Sequence, residues 1–238
     1  MFCFFAAQRY KNSIKEPASS QLFTTFALGF GQMIYTIGHS NQSQEDFLKA
    51  LRTHQVNIIV DVRSVPVSSY APQFNQECLH RFLHEEGLEY VYLGNKLGAR
   101  RTDCLNDAGQ VDFELALETK RFKEGVKQVE DLMEEGHHIA LMCSEADPLS
   151  CHRFSLLARY FHEQGFDVQH ILRDGRLKSH DDLEKEMIRK YLRSRKYHLA
   201  EVDQLMETYT AEEQRHDAYR LKNQEIGFRP ALPPSEID

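Results

Sequence analysis

Tryptophan is absent from this 238-residue chain, whose aromatic content rests on 15 Phe and 10 Tyr. Cysteine is scarce and odd in number: Cys3, Cys78, Cys104, Cys143 and Cys151. Five thiols without small-scaffold spacing exclude a secreted disulfide framework and point to a reducing, cytoplasmic compartment. A basic excess is missing too. With 29 Lys+Arg against 36 Asp+Glu the formal net charge is -7. That excludes the broad cationic footprint of a duplex-DNA binder but leaves room for a local basic cleft. No apolar run approaches the ~20 residues of a membrane helix. Phe2–Ala7 lacks the basic flank and the length of a signal peptide. Neither G-x-G-x-x-G nor a Walker loop occurs, so a dinucleotide or nucleoside triphosphate cradle is unsupported.

What remains is an ordinary globular balance, 41% hydrophobic and 27% charged, long enough for one α/β domain with appendages. Residues 1–32 have scattered Phe, little charge and no clean period. They are expected to be a leader, either poorly ordered or translated upstream of a true start at Met33. From Met33 to about residue 192 strand and helix signals alternate. Strands are predicted over Met33–Ile37, Val56–Val62, Glu89–Leu93, His138–Cys143 and Val168–Leu172. Helices are predicted around Phe47–Leu51 (with Ser43 and Asp46 as a capping pair), Leu79–Leu83 (closed by Gly87), Phe122–Met133 (closed by Gly136), Cys151–Gln164 and Leu183–Tyr191. Gly94–Val111 reads as loop, and Asp174-Gly175 as a turn. This βαβα rhythm predicts a mainly parallel sheet with helices on both faces. From 193 to 238 the composition turns polar, with a thin stripe of Leu199, Val202, Leu205 and Met206. That pattern predicts a helical extension, a candidate for homo-oligomer contact, followed by a Pro-rich tail.

The run from Met142 to Arg153 (MCSEADPLSCHR) concentrates the chemistry. It joins an apolar strand to an amphipathic helix, where α/β proteins place ligands. Ser150 is a good N-cap, which would put Cys151 in the first helical turn. There the helix dipole, His152 and Arg153 would favour its thiolate. Three readings of the thiols compete: Cys151 as nucleophile, Cys143 and Cys151 as a redox pair, or both as metal ligands with His39 or His170, zinc or iron being the candidate ions. Cys143 alone is equally well a small buried hydrophobe. Glu145 and Asp147 are candidate acids or bases, or partners for Arg153, and Asp147-Pro148 is also a turn in its own right.

Gly38-His39-Ser40 follows the first strand directly, so His39 is a candidate base or ligand, or else a cap for the next helix. Asp61 closes an apolar strand, where a carboxylate is costly unless paired. Arg63 is available to bind an anion bidentately or to neutralise Asp61. Tyr70 sits in an aromatic loop able to stack a ring, and Arg100-Arg101 is the most basic spot on the chain. His170, in the fifth strand, is more often a satisfied core residue than a ligand.

Together these residues form an ordered set: Tyr35–Ser40, Asp61-Val62-Arg63 with Pro66, Gln73-Phe74, Tyr90 with Leu97-Gly98, Met142-Cys143 with Glu145 and Asp147-Pro148, Cys151-His152-Arg153, and His170-Ile171. The chain resembles, over about residues 33–192, the bacterial and archaeal family known as domain of unknown function 488. One departure is Ser69-Tyr70, where the family often has Ser-Arg. The resemblance implies a Rossmann-like three-layer domain with these motifs gathered at one end of the sheet, and it implies no activity. Two function classes follow. One is an enzyme acting on an anionic, phosphate-bearing substrate, a nucleotide or nucleic-acid component among them, through Cys151, His152, Glu145 and His39, with Arg63, Arg153, Asp61, Tyr70 and Arg100 as binding residues. The other is a non-catalytic ligand- or nucleic-acid-binding module, or a Cys/His metal protein.

Overall fold

A computed structural model of the chain describes residues 32–196 and 210–231. A six-stranded sheet runs through its centre in the order β3-β2-β4-β1-β5-β6, formed by Met33–Gly38 (β1), Ile58–Asp61 (β2), Glu89–Tyr92 (β3), Ile139–Cys143 (β4), Asp167–Ile171 (β5) and Leu177–Ser179 (β6). The first five are mutually parallel, and β6 pairs antiparallel with β5. Every residue of β2 and β4 is buried, as their unbroken apolar runs predict for strands covered on both faces.

The pleat divides the core in two. Ile58, Val60 and Leu141 face the helix Lys120–Glu134 (α5), meeting Phe122, Val126 and Val129. Ile59, Ala140 and Met142 face Gln44–Thr53 (α1) and Gln76–Glu85 (α2), meeting Phe47, Leu51, Leu79 and Leu83. This is the three-layer α/β architecture expected from the sequence. Ser43 caps α1 by accepting the Asp46 N–H at 3.0 Å, and Gly87 leaves α2 at φ +76°.

Three elements lie where the sequence showed loop, unassigned residues or a bare turn. Gly94–Leu97 (α3) and Phe113–Glu118 (α4) are too short for a helical period to register. The strand β6 is a three-residue edge that closes a hairpin after Asp174-Gly175, with Leu177 40% exposed, so no apolar alternation announces it.

Two helices cover the β5 side, His180–Lys196 (α7) and Ala211–Ile226 (α8). Ala218 and Tyr219 of α8 pack on Phe154, Leu183 and Met187. Asn223 ties α8 to the main domain, accepting the Phe113 N–H at 2.6 Å and donating to the Val111 carbonyl at 2.8 Å. The leader expected over 1–32 (Gln32 apart), the stripe Leu199, Val202, Leu205 and Met206, and residues 232–238 of the expected tail fall outside the described residues. No helix among the described residues is long and apolar enough to cross a membrane.

Register brings three carboxyl ends to one level. Gly38 of β1 lies opposite Cys143 of β4, and Asp61 of β2 lies opposite Met142. The residues that follow these ends, His39, Arg63 and Ser144, therefore open onto one rim of the sheet.

Candidate functional site

Beyond β4 the chain turns at Ser144–Ala146 and enters a single 3-10 turn, Pro148–Ser150. Asp147 caps that turn, accepting from Leu149 N and from Ser150 Oγ, both at 3.0 Å. Ser150 is thereby engaged with Asp147, and the cap of the next helix falls to Cys151 itself. Its backbone is extended (φ -136°, ψ 148°), its carbonyl accepts the Phe154 N–H at 3.1 Å, and its Sγ accepts the Arg153 N–H at 3.4 Å. The expected placement of Cys151 inside the first helical turn under a Ser150 cap is corrected accordingly. The helix that follows opens as a π-helical turn, Arg153–Ala158, and continues as Arg159–Glu163 (α6). Such turns are uncommon and concentrate at functional sites.

Arg153 is fully buried and meets no carboxylate among the described residues. Its Nη1 donates to the Glu145 carbonyl at 2.6 Å and to Cys143 Sγ at 2.8 Å, and its Nη2 to the Ala146 carbonyl at 3.1 Å. Cys143 in turn donates its S–H to Glu145 Oε2 at 3.2 Å. Burial pushes the Cys143 thiol well up, contact with Cys151 adds to the rise, and the Arg153 guanidinium acts against it. Burial would also raise Glu145, but hydrogen bonds from Cys143, its own backbone N–H and Cys151 outweigh it and hold the carboxyl below its ordinary range. At neutral pH the resting pair is therefore a thiol facing a carboxylate. Gly38 permits this packing, since a Cβ there would lie 1.8 Å from the Glu145 carbonyl oxygen.

Cys143 and Glu145 line a cleft of about 120 Å³ whose other walls include Arg63, Arg100, Ser144 and His152. His152 is only 9% exposed, and burial lowers its pKa, which leaves the ring neutral. Its Nδ1 lies 3.5 Å from Cys151 Sγ, and the Val62 backbone lies beside the ring. Arg100 is exposed at the mouth, with its guanidinium 5.4 Å from the centre of the Phe228 ring and no ion pair among the described residues. Counting Arg153 beneath the cleft, three guanidiniums stand against the carboxylates of Asp61 and Glu145. The site is locally positive in an acidic chain.

Behind one wall lies a second polar network. Arg63 grips Asp61 with Nε (2.9 Å) and Nη2 (2.6 Å), and the Tyr90 hydroxyl donates to the same carboxylate at 2.6 Å. Nη1 donates to His39 Nε2 at 3.0 Å, while His39 Nδ1 donates to the Ser40 carbonyl at 2.7 Å and the ring stacks on Phe74. Burial and then the Arg63 charge lower His39 to about 4, so the ring is neutral, with both nitrogens engaged. His39, a candidate base in the sequence, is placed as a support for Arg63. Tyr90 enters the ordered motif set by resemblance alone, and its bond to Asp61 has no local sequence signal.

The other candidates separate. Tyr70 is 80% exposed and stands apart from the cleft lining. Arg101, unlike Arg100, is buried and bound to Asp103 and Thr119. His170 belongs to a relay: Thr36 Oγ1 lies 2.7 Å from its Nδ1, His180 Nδ1 lies 3.3 Å from its Nε2, and His180 Nε2 lies 2.9 Å from the Tyr219 hydroxyl, which donates to Glu184. Both His170 nitrogens are thus committed, and the donor group Cys143, Cys151 and His170 does not assemble. The potential metal donors that do converge are Cys143, Glu145 and Cys151, with their ligand atoms all within 4.8 Å of one another. The Arg153 cation 2.8 Å from the Cys143 sulfur opposes a divalent ion there. These residues fit an anion better than a metal.

A family model described as "Domain of unknown function DUF488" matches residues 43–161, half of the chain. The matched span holds Asp61, Arg63, Arg100, Cys143, Glu145, Cys151, His152 and Arg153, and leaves out His39, His170 and α8. No curated protein and no solved structure matches the chain.

Proposed function

The chain belongs to the DUF488 family, whose function is unknown, and from its cleft we propose an enzyme in which Cys143 is the nucleophile toward a small substrate carrying an anionic group, a phosphate-bearing metabolite or nucleotide fragment being the class that fits. One observation carries this reading. The Cys143 sulfur sits between a buried guanidinium that has no carboxylate partner among the described residues and a carboxylate within reach of its proton. A binding module needs neither. As the sulfur attacks, Glu145 accepts the S–H proton, and the Arg153 N–H stays on the sulfur and stabilises the charge that develops. Arg100 and the Arg63 N–H groups that Asp61 and His39 leave free attract the anionic group. His152, on the cleft wall, is placed to meet the bound anion or a leaving group.

The test compares two alkylating agents on the full chain, neutral iodoacetamide and anionic iodoacetate. The ratio of iodoacetate to iodoacetamide rates should be several-fold higher at Cys143 than at Cys78. Arg100→Ala and added salt should both lower it. Equal ratios at the two thiols would overturn the anion-selective reading.

A further inference from the structure

We infer that Cys143 and Cys151 form a reversible disulfide, with a hydroperoxide as oxidant and Cys143 as the sulfur first oxidised. The inference rests on the reading of Cys143 as the reactive thiol. The two sulfurs lie within 4.8 Å of each other, against about 2.05 Å in a disulfide. The segment that must yield, 144–150, is a bend and one 3-10 turn, so closing the gap breaks no strand. Both thiols are buried, at 1% and 2% exposure, but Cys143 borders the cleft and Cys151 does not, so a small oxidant in the cleft meets Cys143 first. Arg153 ties the pair together through its side chain on Cys143 and its backbone N–H on Cys151. Cys104 is buried in the same core cluster, but the thiols that converge on Glu145 are Cys143 and Cys151.

The chemistry closes without any group the site lacks. The Cys143 sulfur attacks the terminal oxygen of the hydroperoxide, and the O–O bond breaks. The alcohol, or water from hydrogen peroxide, leaves with the proton that Glu145 took from the thiol. The sulfur is oxidised by two electrons to the sulfenic acid, and the peroxide is reduced. The Cys151 sulfur then attacks the Cys143 sulfur, the S–O bond breaks, and hydroxide departs as water with the Cys151 proton. An external dithiol returns two electrons and two protons and restores both thiols. While the bond exists Cys143 is blocked as a nucleophile, so oxidation switches the site off.

The experiment treats the full chain with hydrogen peroxide at pH 7, blocks the remaining thiols and maps tryptic peptides without reduction. Cys143 and Cys151 share the peptide 128–153, while Cys78 and Cys104 fall in others. The expected result is that this peptide loses two hydrogens and both alkylation sites, and that dithiothreitol restores them. In Cys151→Ser, dimedone should trap sulfenic acid at Cys143 at least about tenfold more than in the wild type. The wild-type map decides the matter even if that variant folds poorly. A peptide that gains oxygen without losing two hydrogens, oxidation of Cys78 or Cys104 at the same rate, or no reaction would each overturn the inference. If Cys143 from the same preparation alkylates fast but forms no disulfide, only the redox inference fails. Slow alkylation with no disulfide removes the nucleophile reading as well.

Discussion

Two buried arginines serve this cleft, and their surroundings differ. Arg63 holds Asp61 in a two-pronged pair, with Tyr90 on the same carboxylate and His39 on the remaining side. Its charge is neutralised in place, and the cluster is a fixture. Among the described residues Arg153 has no carboxylate. Its Nη groups bond to two carbonyls and a sulfur, and its buried Nε has no hydrogen-bond partner there. A buried cation left in that state favours any neighbour that becomes an anion. The comparison separates the residues that build the rim from the residues that react there.

Breaking the first pair should have the largest effect on stability. Asp61→Ala leaves Arg63 buried and unpaired, and should cost about 3–5 kcal/mol in urea unfolding. Gly38→Ala should come next, at about 2–3 kcal/mol, because a Cβ 1.8 Å from the Glu145 carbonyl oxygen forces the 144–146 bend away from β1. Arg153→Met orphans no carboxylate and should cost only about 1–2 kcal/mol, the lost bonds to two carbonyls. It should nevertheless slow alkylation of Cys143 about tenfold or more, as should Glu145→Gln. A larger stability loss for Arg153→Met than for Asp61→Ala would erase the contrast.

The fixture also predicts a pH dependence. His39 in the folded chain has a pKa near 4, against an ordinary 6.5. Between those values the unfolded chain takes up a proton that the native ring refuses. Stability is therefore full above about pH 6.5 and falls as pH drops toward 4, by at most about 1.4 kcal/mol per pH unit for this one group. Burial lowers His152, His170 and His180 as well, so the acid limb should exceed one proton in slope. In His39→Gln, unfolding measured from pH 7 to 4.5 should lose one proton's worth of that slope. An unchanged slope would show that His39 is already charged in the fold. The smallest effect is expected at Tyr70, 80% exposed, where Tyr70→Ala should move stability by no more than about 0.5 kcal/mol.

The sheet and its long helices were legible because apolar runs such as Ile139–Cys143 and spacings such as Phe122-Val126-Val129 are imposed by burial and carry their own period. The place of the site was legible for the same reason, since a thiol-rich run directly after a buried strand has to open at the sheet's carboxyl edge. The roles were not. Arg153 stands near a helix start, and nothing local shows that the π-helical turn carries it fully inside. Arg100 and Arg101 are adjacent and identical in type, and only the position of Asp103 and Thr119 in space buries one and leaves the other at the mouth. Ser150 has the chemistry of an N-cap, but Asp147 draws it into a separate turn and the cap passes to Cys151. These outcomes depend on contacts between distant or competing segments, which periodicity does not encode.

The order in which the thiols react decides whether Cys143 is the nucleophile. The full chain is exposed to iodoacetamide at pH 7, and Cys143 and Cys151 are told apart by fragmenting their common peptide. Cys143 should react first, at least about tenfold ahead of Cys151 and Cys104. Labelling of Cys151 ahead of Cys143, or of Cys143 only at the rate at which buried Cys104 is exposed by unfolding, would contradict it.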